Sequence, residues 1–125
     1  MQKIIKTADA PEAVGPYSQA VEAGGFIFIS GQIPIDPKSG NLVKADIKIQ
    51  TARILDNAKA ILIAAGSTMS KVVKVTIYLT NMSDFSAMND VYAGYFPTEP
   101  PARATVEVSR LPKYSAIEMD FVAVK

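Results

Sequence analysis

The chain has 125 residues, 49% hydrophobic and 20% charged, with a formal net charge of +1, so it reads as one globular domain over 1–125 without a concentrated nucleic-acid footprint. It contains no histidine and no cysteine, which excludes disulfides, thiolate nucleophiles, Ser-His-Asp arrangements and ordinary zinc sites. Any chemistry therefore rests on Arg, Lys, carboxylates, hydroxyls, amides and the backbone.

The start, Met1–Lys6, lacks the apolar core and cleavage site of a signal peptide, and the most apolar run, Ala58–Gly66, contains Lys59 and is too short for a bilayer. A soluble, cytoplasmic protein is the expectation. Gln2–Lys6 reads as a short edge strand. The Pro/Gly-rich loop Ala10–Pro16 then delivers Tyr17 and Ser18 to the next element. Tyr17–Glu22 and Phe26–Ser30 flank Ala23-Gly24-Gly25, a hairpin turn, with Phe26, Phe28 and Ser30 on one face. Ser30–Pro34 is expected to leave the sheet, and Asp36–Gly40 to turn.

Asp46 predicts the N-cap of a helix running to about Ala65, with Gly66 just beyond its end. Ile47, Thr51, Ile54, Leu55, Ala58, Ile61, Leu62 and Ala65 recur at amphipathic-helix spacing. Val72–Thr80 is a strand, with Val73, Val75, Ile77 and Leu79 opposite Lys74, Thr76, Tyr78 and Thr80. A second helix is predicted from a Ser83 cap to about Tyr95, ended by Pro97 and Pro100-Pro101. On the strand Ala102–Val108, Arg103, Thr105 and Glu107 share one side and Ala104, Val106 and Val108 the other. A last strand, Ala116–Val124, sets Ile117, Met119, Phe121 and Ala123 against Glu118, Asp120, Val122 and Val124.

This order, β-β-β-α-β-α-β-β, predicts an α+β fold: one mixed six-stranded sheet with two helices on a single face. The uncovered face would then carry Thr76, Tyr78, Arg103, Thr105, Glu107, Glu118, Asp120, Val122 and Val124. That set is too apolar for a wet surface and too polar for a monomer core, which predicts an oligomer with sites in the clefts between subunits.

Arg103 and Glu118 are the first candidates for chemistry. A guanidinium held on a strand suits bidentate capture of a small carboxylate, and a carboxyl with a raised pKa can activate water or carry a proton. The plainer alternatives are a surface Arg–Glu pair or a structural ion pair in an oligomer interface. Both residues lie on the last two long strands, which could be neighbours. Tyr17 and Ser30 sit where strands meet Gly/Pro-rich loops, as binding groups or ordinary loop hydroxyls. Gly31 either lets a backbone N–H approach a ligand or permits a turn. Asn89 either projects into a cleft or is solvated. The glycines do not have the spacing of a phosphate loop.

Several stretches occur together and in order: Gly15-Pro-Tyr-Ser-Gln-Ala20, Ser30-Gly-Gln-Ile-Pro34, Ala64-Ala-Gly66, Val73–Leu79, Met88-Asn-Asp-Val-Tyr92 and Pro101–Pro112. Across essentially the whole chain they resemble the RidA (YjgF-type) family of reactive-intermediate deaminases. The resemblance implies a chorismate-mutase-like fold of the bacillary type, a homotrimer around a central sheet barrel, and a site at each subunit boundary. It implies hydrolysis of 2-enamino and 2-imino acids, such as 2-aminoacrylate, to 2-oxo acids and ammonia, with no metal or organic cofactor. By the same resemblance Arg103 clamps the substrate carboxylate, and Glu118 orients or activates the attacking water. Tyr17, Ser30, Gly31 and Asn89 match other pocket-lining positions. Thr105 stands where well-studied relatives carry Cys, so thiol-dependent behaviour is not expected. The alternatives are an endoribonuclease or translation inhibitor, for which neither a histidine base nor a basic groove is visible, and a non-catalytic ligand-binding or chaperone-like trimer.

Overall fold

A computed structural model describes residues 2–125. Its elements are β1 (Lys3–Ile5), β2 (Ala20–Ala23), β3 (Phe26–Gln32), α1 (Ile47–Ala64), β4 (Val72–Leu79), α2 (Phe85–Tyr95), β5 (Ala102–Glu107) and β6 (Ile117–Val124). The six strands form one sheet in the order β1-β2-β3-β6-β4-β5. All neighbours are antiparallel except β4 and β5, so the sheet is mixed, as expected.

Local chemistry sets the element ends. Gly24 and Gly25, at φ +60° and +83°, close the β2–β3 hairpin where L side chains are disfavoured. Asp46 Oδ1 accepts from the Ile49 N–H at 3.0 Å and starts α1. Gly66, at φ +80°, ends it, and the Ser67 N–H reaches back to the Leu62 carbonyl at 2.8 Å. The start of α2 differs from the expected Ser83 cap. Asn81 Oδ1 accepts from the Ser83 N–H and holds a 3-10 turn, Met82–Asp84, that feeds the helix. Glu107 Oε1 accepts from the Met82 N–H at 2.8 Å, so β5 anchors the beginning of α2.

The core lies between the sheet and the helices. Ile27, Ile29, Val75, Ile77, Leu79, Ile117, Met119 and Phe121 face Ile54, Leu55, Ile61, Leu62 and Met88. Each such side chain contributes roughly 1.5–3 kcal/mol when fully removed from water. On β4, Val73 is exposed rather than buried, because the register with β6 shifts between Val72 and Lys74 and Val72 takes the inward place.

Other local differences bear on the site. β3 does not leave the sheet at Ser30 but continues to Gln32 through a bulge. Ile29 pairs with Phe121 and Gln32 with Met119, so Ser30 and Gly31 together oppose Asp120. β5 and β6 are not neighbours, since β4 lies between them. Arg103, Thr105 and Glu107 pair laterally with Val75, Ile77 and Leu79, whose side chains are in the core. They therefore belong to the helix side of the sheet, not to the uncovered face. Parallel pairing in this register, which alternation within one strand does not specify, decides that. The uncovered face keeps Thr76, Tyr78, Glu118, Asp120, Val122 and Val124 and gains Ala104 and Val106.

Candidate active site

Arg103 projects from the edge strand β5 towards α2. Phe85, Asn89 and Tyr92 recur at i, i+4 and i+7, which puts them on one side of that helix. The Arg103 Cζ lies 5.4 Å from the Phe85 ring centroid and 4.8 Å from that of Tyr92. Its Nη1 donates to Asn89 Oδ1 at 2.6 Å. Two aromatic faces and one amide thus hold the guanidinium plane while leaving its other N–H groups free. The ion pairs among the described residues are Lys48–Asp90 and Lys125–Glu22, and Arg103 is in neither. Glu107, on the same side of β5, accepts from the Met82 N–H instead.

Around this cation is a cavity of about 330 Å³ lined by Asn89, Tyr92, Ala93, Phe96, Pro100, Pro101 and Arg103. Thr105, two residues along the same side of β5, has a buried hydroxyl with no hydrogen-bond partner. The Tyr92 hydroxyl is in the same condition. Burial raises the Tyr92 pKa, against the opposing pull of Arg103, and so keeps the phenol neutral.

Glu118 lies on the other face of the sheet. Its carboxyl rests against Gly31: a Cβ built on that glycine would stand 2.9 Å from Glu118 Cδ. Gly31 has no positive φ, so what the missing Cβ supplies here is room for the Glu118 carboxyl and not a special backbone conformation. Tyr17 and Gly31 join Glu118 in a cavity of about 480 Å³, whose wall includes Glu12, Val14, Ile33, Ile35 and Lys113. Loss of water, and next the charge of Asp120, hold the Glu118 pKa above the ordinary carboxylate value.

Ser30 supports this half of the site. Its hydroxyl donates to the Ser18 carbonyl at 2.5 Å, and its N–H to the Gln19 carbonyl at 3.0 Å, tying the Tyr17 loop to the bulge. Buried Gln19 fastens the same loop farther back. Its amide oxygen accepts from the Thr7 N–H at 2.7 Å, and its Nε2 donates to the carbonyls of Thr7, Ala10 and Pro11.

The predicted residues thus fall into two clusters. Arg103, Asn89 and Thr105 form one on the helix side; Tyr17, Ser30, Gly31 and Glu118 form the other on the open side. Their cavities share no residue. Sequence reasoning did not assign roles to Phe85, Tyr92, Gln19, Tyr78 or Asp120. Helical spacing around Asn89 carried the signal for the first two; nothing local announced the buried Gln19.

The family model described as Endoribonuclease L-PSP matches residues 7–125. The chain belongs to this family, the RidA/YjgF group. Its relatives include a RutC family protein of Pyrococcus horikoshii, 58% identical over 125 residues, with 100% of this chain and 99% of that protein covered. A protein of Escherichia coli named "Putative reactive intermediate deaminase TdcF" is 41% identical over 128 residues, covering 100% of this chain and 98% of its own length. The crystal structure of TdcF with bound serine superimposes with a TM-score of 0.94, over 98% of each chain. RidA from an Antarctic Psychrobacter gives 0.95 at 40% identity, over 98% of this chain and 99% of that one. The RidA-group fold is thereby established, including two helices on one side of a mixed sheet.

Proposed function

We propose that this protein is a reactive-intermediate deaminase that hydrolyses 2-enamino and 2-imino acids, such as 2-aminoacrylate and 2-aminobut-2-enoate, to 2-oxo acids and ammonia. Removal of these electrophiles would protect pyridoxal-phosphate enzymes. The observation that carries the reading is Arg103: a guanidinium held by Asn89 and two aromatic rings, with no carboxylate paired to it among the described residues. Such a group is prepared for a small anion, and a substrate carboxylate fits its fork. Serine, the molecule bound to TdcF, likewise has a carboxylate beside a nitrogen-bearing carbon.

Arg103 and Glu118 occupy opposite faces of one sheet, so we infer that they work together only between copies. The helix-side half of one protomer meets the open-side half of its neighbour. Phe26, Phe28 and Val106, each about 42–43% exposed, give the chain apolar surface for that association. The homotrimer implied by the family resemblance would close three such boundaries around its central barrel.

The chemistry needs little machinery. The enamine tautomerises to an imine, whose carbon is already electrophilic. Arg103 fixes the carboxylate, which orients that carbon towards a water held by Glu118. The water oxygen bonds to the carbon of the protonated imine, the C=N π pair moves onto nitrogen, and one water proton passes to the Glu118 carboxylate. Glu118 returns that proton to the amino nitrogen of the carbinolamine; the C–N bond breaks, and the departing ammonia takes the hydroxyl proton, leaving the 2-oxo acid and ammonium. A carboxyl of raised pKa suits both taking and returning a proton. Tyr17 and Thr105 supply hydroxyls to the walls.

The test couples a pyridoxal-phosphate threonine dehydratase to the protein and traps the released imine with semicarbazide. Wild type suppresses semicarbazone formation; Arg103→Ala lowers that suppression by about 100-fold or more in kcat/KM. Suppression that survives the substitution would contradict the clamp.

A further inference from the structure

The cavity beside Arg103 continues past the guanidinium along an apolar wall. Asn89, Tyr92, Ala93 and Phe96 line it at i, i+3, i+4 and i+7, one side of α2 carried on to the residue after its end. Pro100 and Pro101 complete the wall ahead of β5, and neither has a backbone N–H to offer. At about 330 Å³ the space is at the small end of the range for ligand pockets. Its polar groups gather at the Arg103 end, where Nη1 already reaches Asn89. The Tyr92 hydroxyl is buried, so it is not a free oxygen on the wall. Glu99 precedes Pro100 but does not line the cavity.

A carboxylate held by Arg103 leaves the rest of a 2-imino acid to occupy this space. Its second carbon is trigonal, so carboxylate, imine nitrogen and side chain lie in one plane, and water attacks across that plane. In the proposed assembly the second copy brings Glu118 to the attacked side, with Tyr17, Glu12 and Lys113 from the same cavity. The nitrogen exchanges protons with Glu118 and belongs towards that polar half. The side chain then runs along α2, towards Ala93 and Phe96.

We propose that the wall formed by Ala93, Phe96 and Pro101 is the side-chain pocket of the substrate, with Ala93 its specificity-determining residue, and that it favours 2-imino acids with branched aliphatic chains over those with short or acidic ones. Ala93 is exposed in the single chain and carries only a methyl group, one turn beyond Asn89. A longer side chain there enters the cavity while the helix keeps its packing. Each methylene that a ligand buries on this wall strengthens binding roughly fourfold. An acidic side chain finds no unused donor on it and loses its hydration without return. The pocket depends on the Arg103 clamp of the deaminase reading, but ligand binding judges it without turnover.

The experiment measures binding of 2-oxo acids, the stable products, to the full-length protein by NMR chemical-shift titration, in wild type, Ala93→Leu and Arg103→Ala. Wild type binds 4-methyl-2-oxopentanoate about 10-fold more tightly than 2-oxobutanoate, and 2-oxoglutarate no more tightly than 2-oxobutanoate. Ala93→Leu removes the preference by weakening the branched acid and leaves 2-oxobutanoate within about twofold. Arg103→Ala weakens all three. In the coupled assay, with imines supplied by threonine dehydratase and an L-amino-acid oxidase, Ala93→Leu lowers kcat/KM about 10-fold for the leucine-derived imine and spares the threonine-derived one. A preference for the branched acid that survives Ala93→Leu overturns the proposal and puts the side chain against Val14, Ile33 and Ile35 of the second copy. Absence of that preference in wild type, equal weakening of both aliphatic acids in Ala93→Leu, or no binding of any acid overturns it as well. Binding as expected without turnover contradicts the deaminase reading alone.

Discussion

Gly31 shows how one missing carbon atom can make room for the carboxyl proposed to activate water. The Glu118 carboxyl occupies the space where any other residue would put its Cβ, so Gly31→Ala must displace it. Arg103 remains on its aromatic bed in that variant. The expected result is a fall in kcat of about 100-fold with little change in KM, since orientation of water fails while carboxylate capture survives. A comparable rise in KM alone would contradict this division of labour. Glu118 also makes a prediction about stability. Its folded-state pKa is raised, first by desolvation and then by Asp120, so the folded protein holds a proton that the unfolded chain has released. Stability contributed by protonated Glu118 is present below the ordinary carboxylate pKa and lost as pH rises through the raised value. Glu118→Gln removes that loss. Denaturation midpoints should therefore be higher in Glu118→Gln than in wild type at pH 7, with the advantage gone below about pH 4. An equal difference at both pH values would point to packing instead of charge.

The element that carries Tyr17 is a loop, and loops need fastening to position a side chain. Gln19 does this with its whole carboxamide, joining the residues 7–11 to the start of β2. Gln19→Ala should destabilise the fold by about 2 kcal/mol, measured by chemical denaturation, because several part-buried backbone groups and the buried Ala10 carbonyl lose their partner at once. It should also raise KM by loosening Tyr17. Such a residue is hard to find in a sequence, since a buried glutamine looks like any other until the loop around it is folded. The regular elements were legible for the opposite reason. Asp46 and Gly66 mark α1 through local backbone chemistry, and the alternation in β6 sorts its faces within a few residues. Register across strands was not legible. The bulge at Ser30–Gly31 and the insertion of β4 between β5 and β6 come from long-range pairing, and the parallel β4–β5 register alone puts Arg103 on the helix side.

At the scale of the whole molecule, the candidate residues were legible as types, but their grouping was not. Arg103 and Glu118 stood out as a chemically sensible pair, and the fold then separated them by the thickness of a sheet. On the proposed reading one protomer therefore carries two half-sites, one on each face of the sheet. On that reading each is completed by a second copy, which would also cover exposed Phe26, Phe28 and Val106. The central claim is that catalysis joins Arg103 of one copy to Glu118 of another, and mixing two dead variants tests it most directly. Arg103→Ala and Glu118→Gln are each inactive, and are combined in equal amounts by co-refolding or co-expression. A boundary is intact when its Arg103 side comes from a chain that keeps Arg103, a chance of one half, and its Glu118 side from a chain that keeps Glu118, again a chance of one half. Random assembly should thus restore roughly a quarter of wild-type deaminase activity. Activity that stays at the level of the separate variants, in oligomers shown to be mixed, would contradict the account and place both residues in a site within one chain.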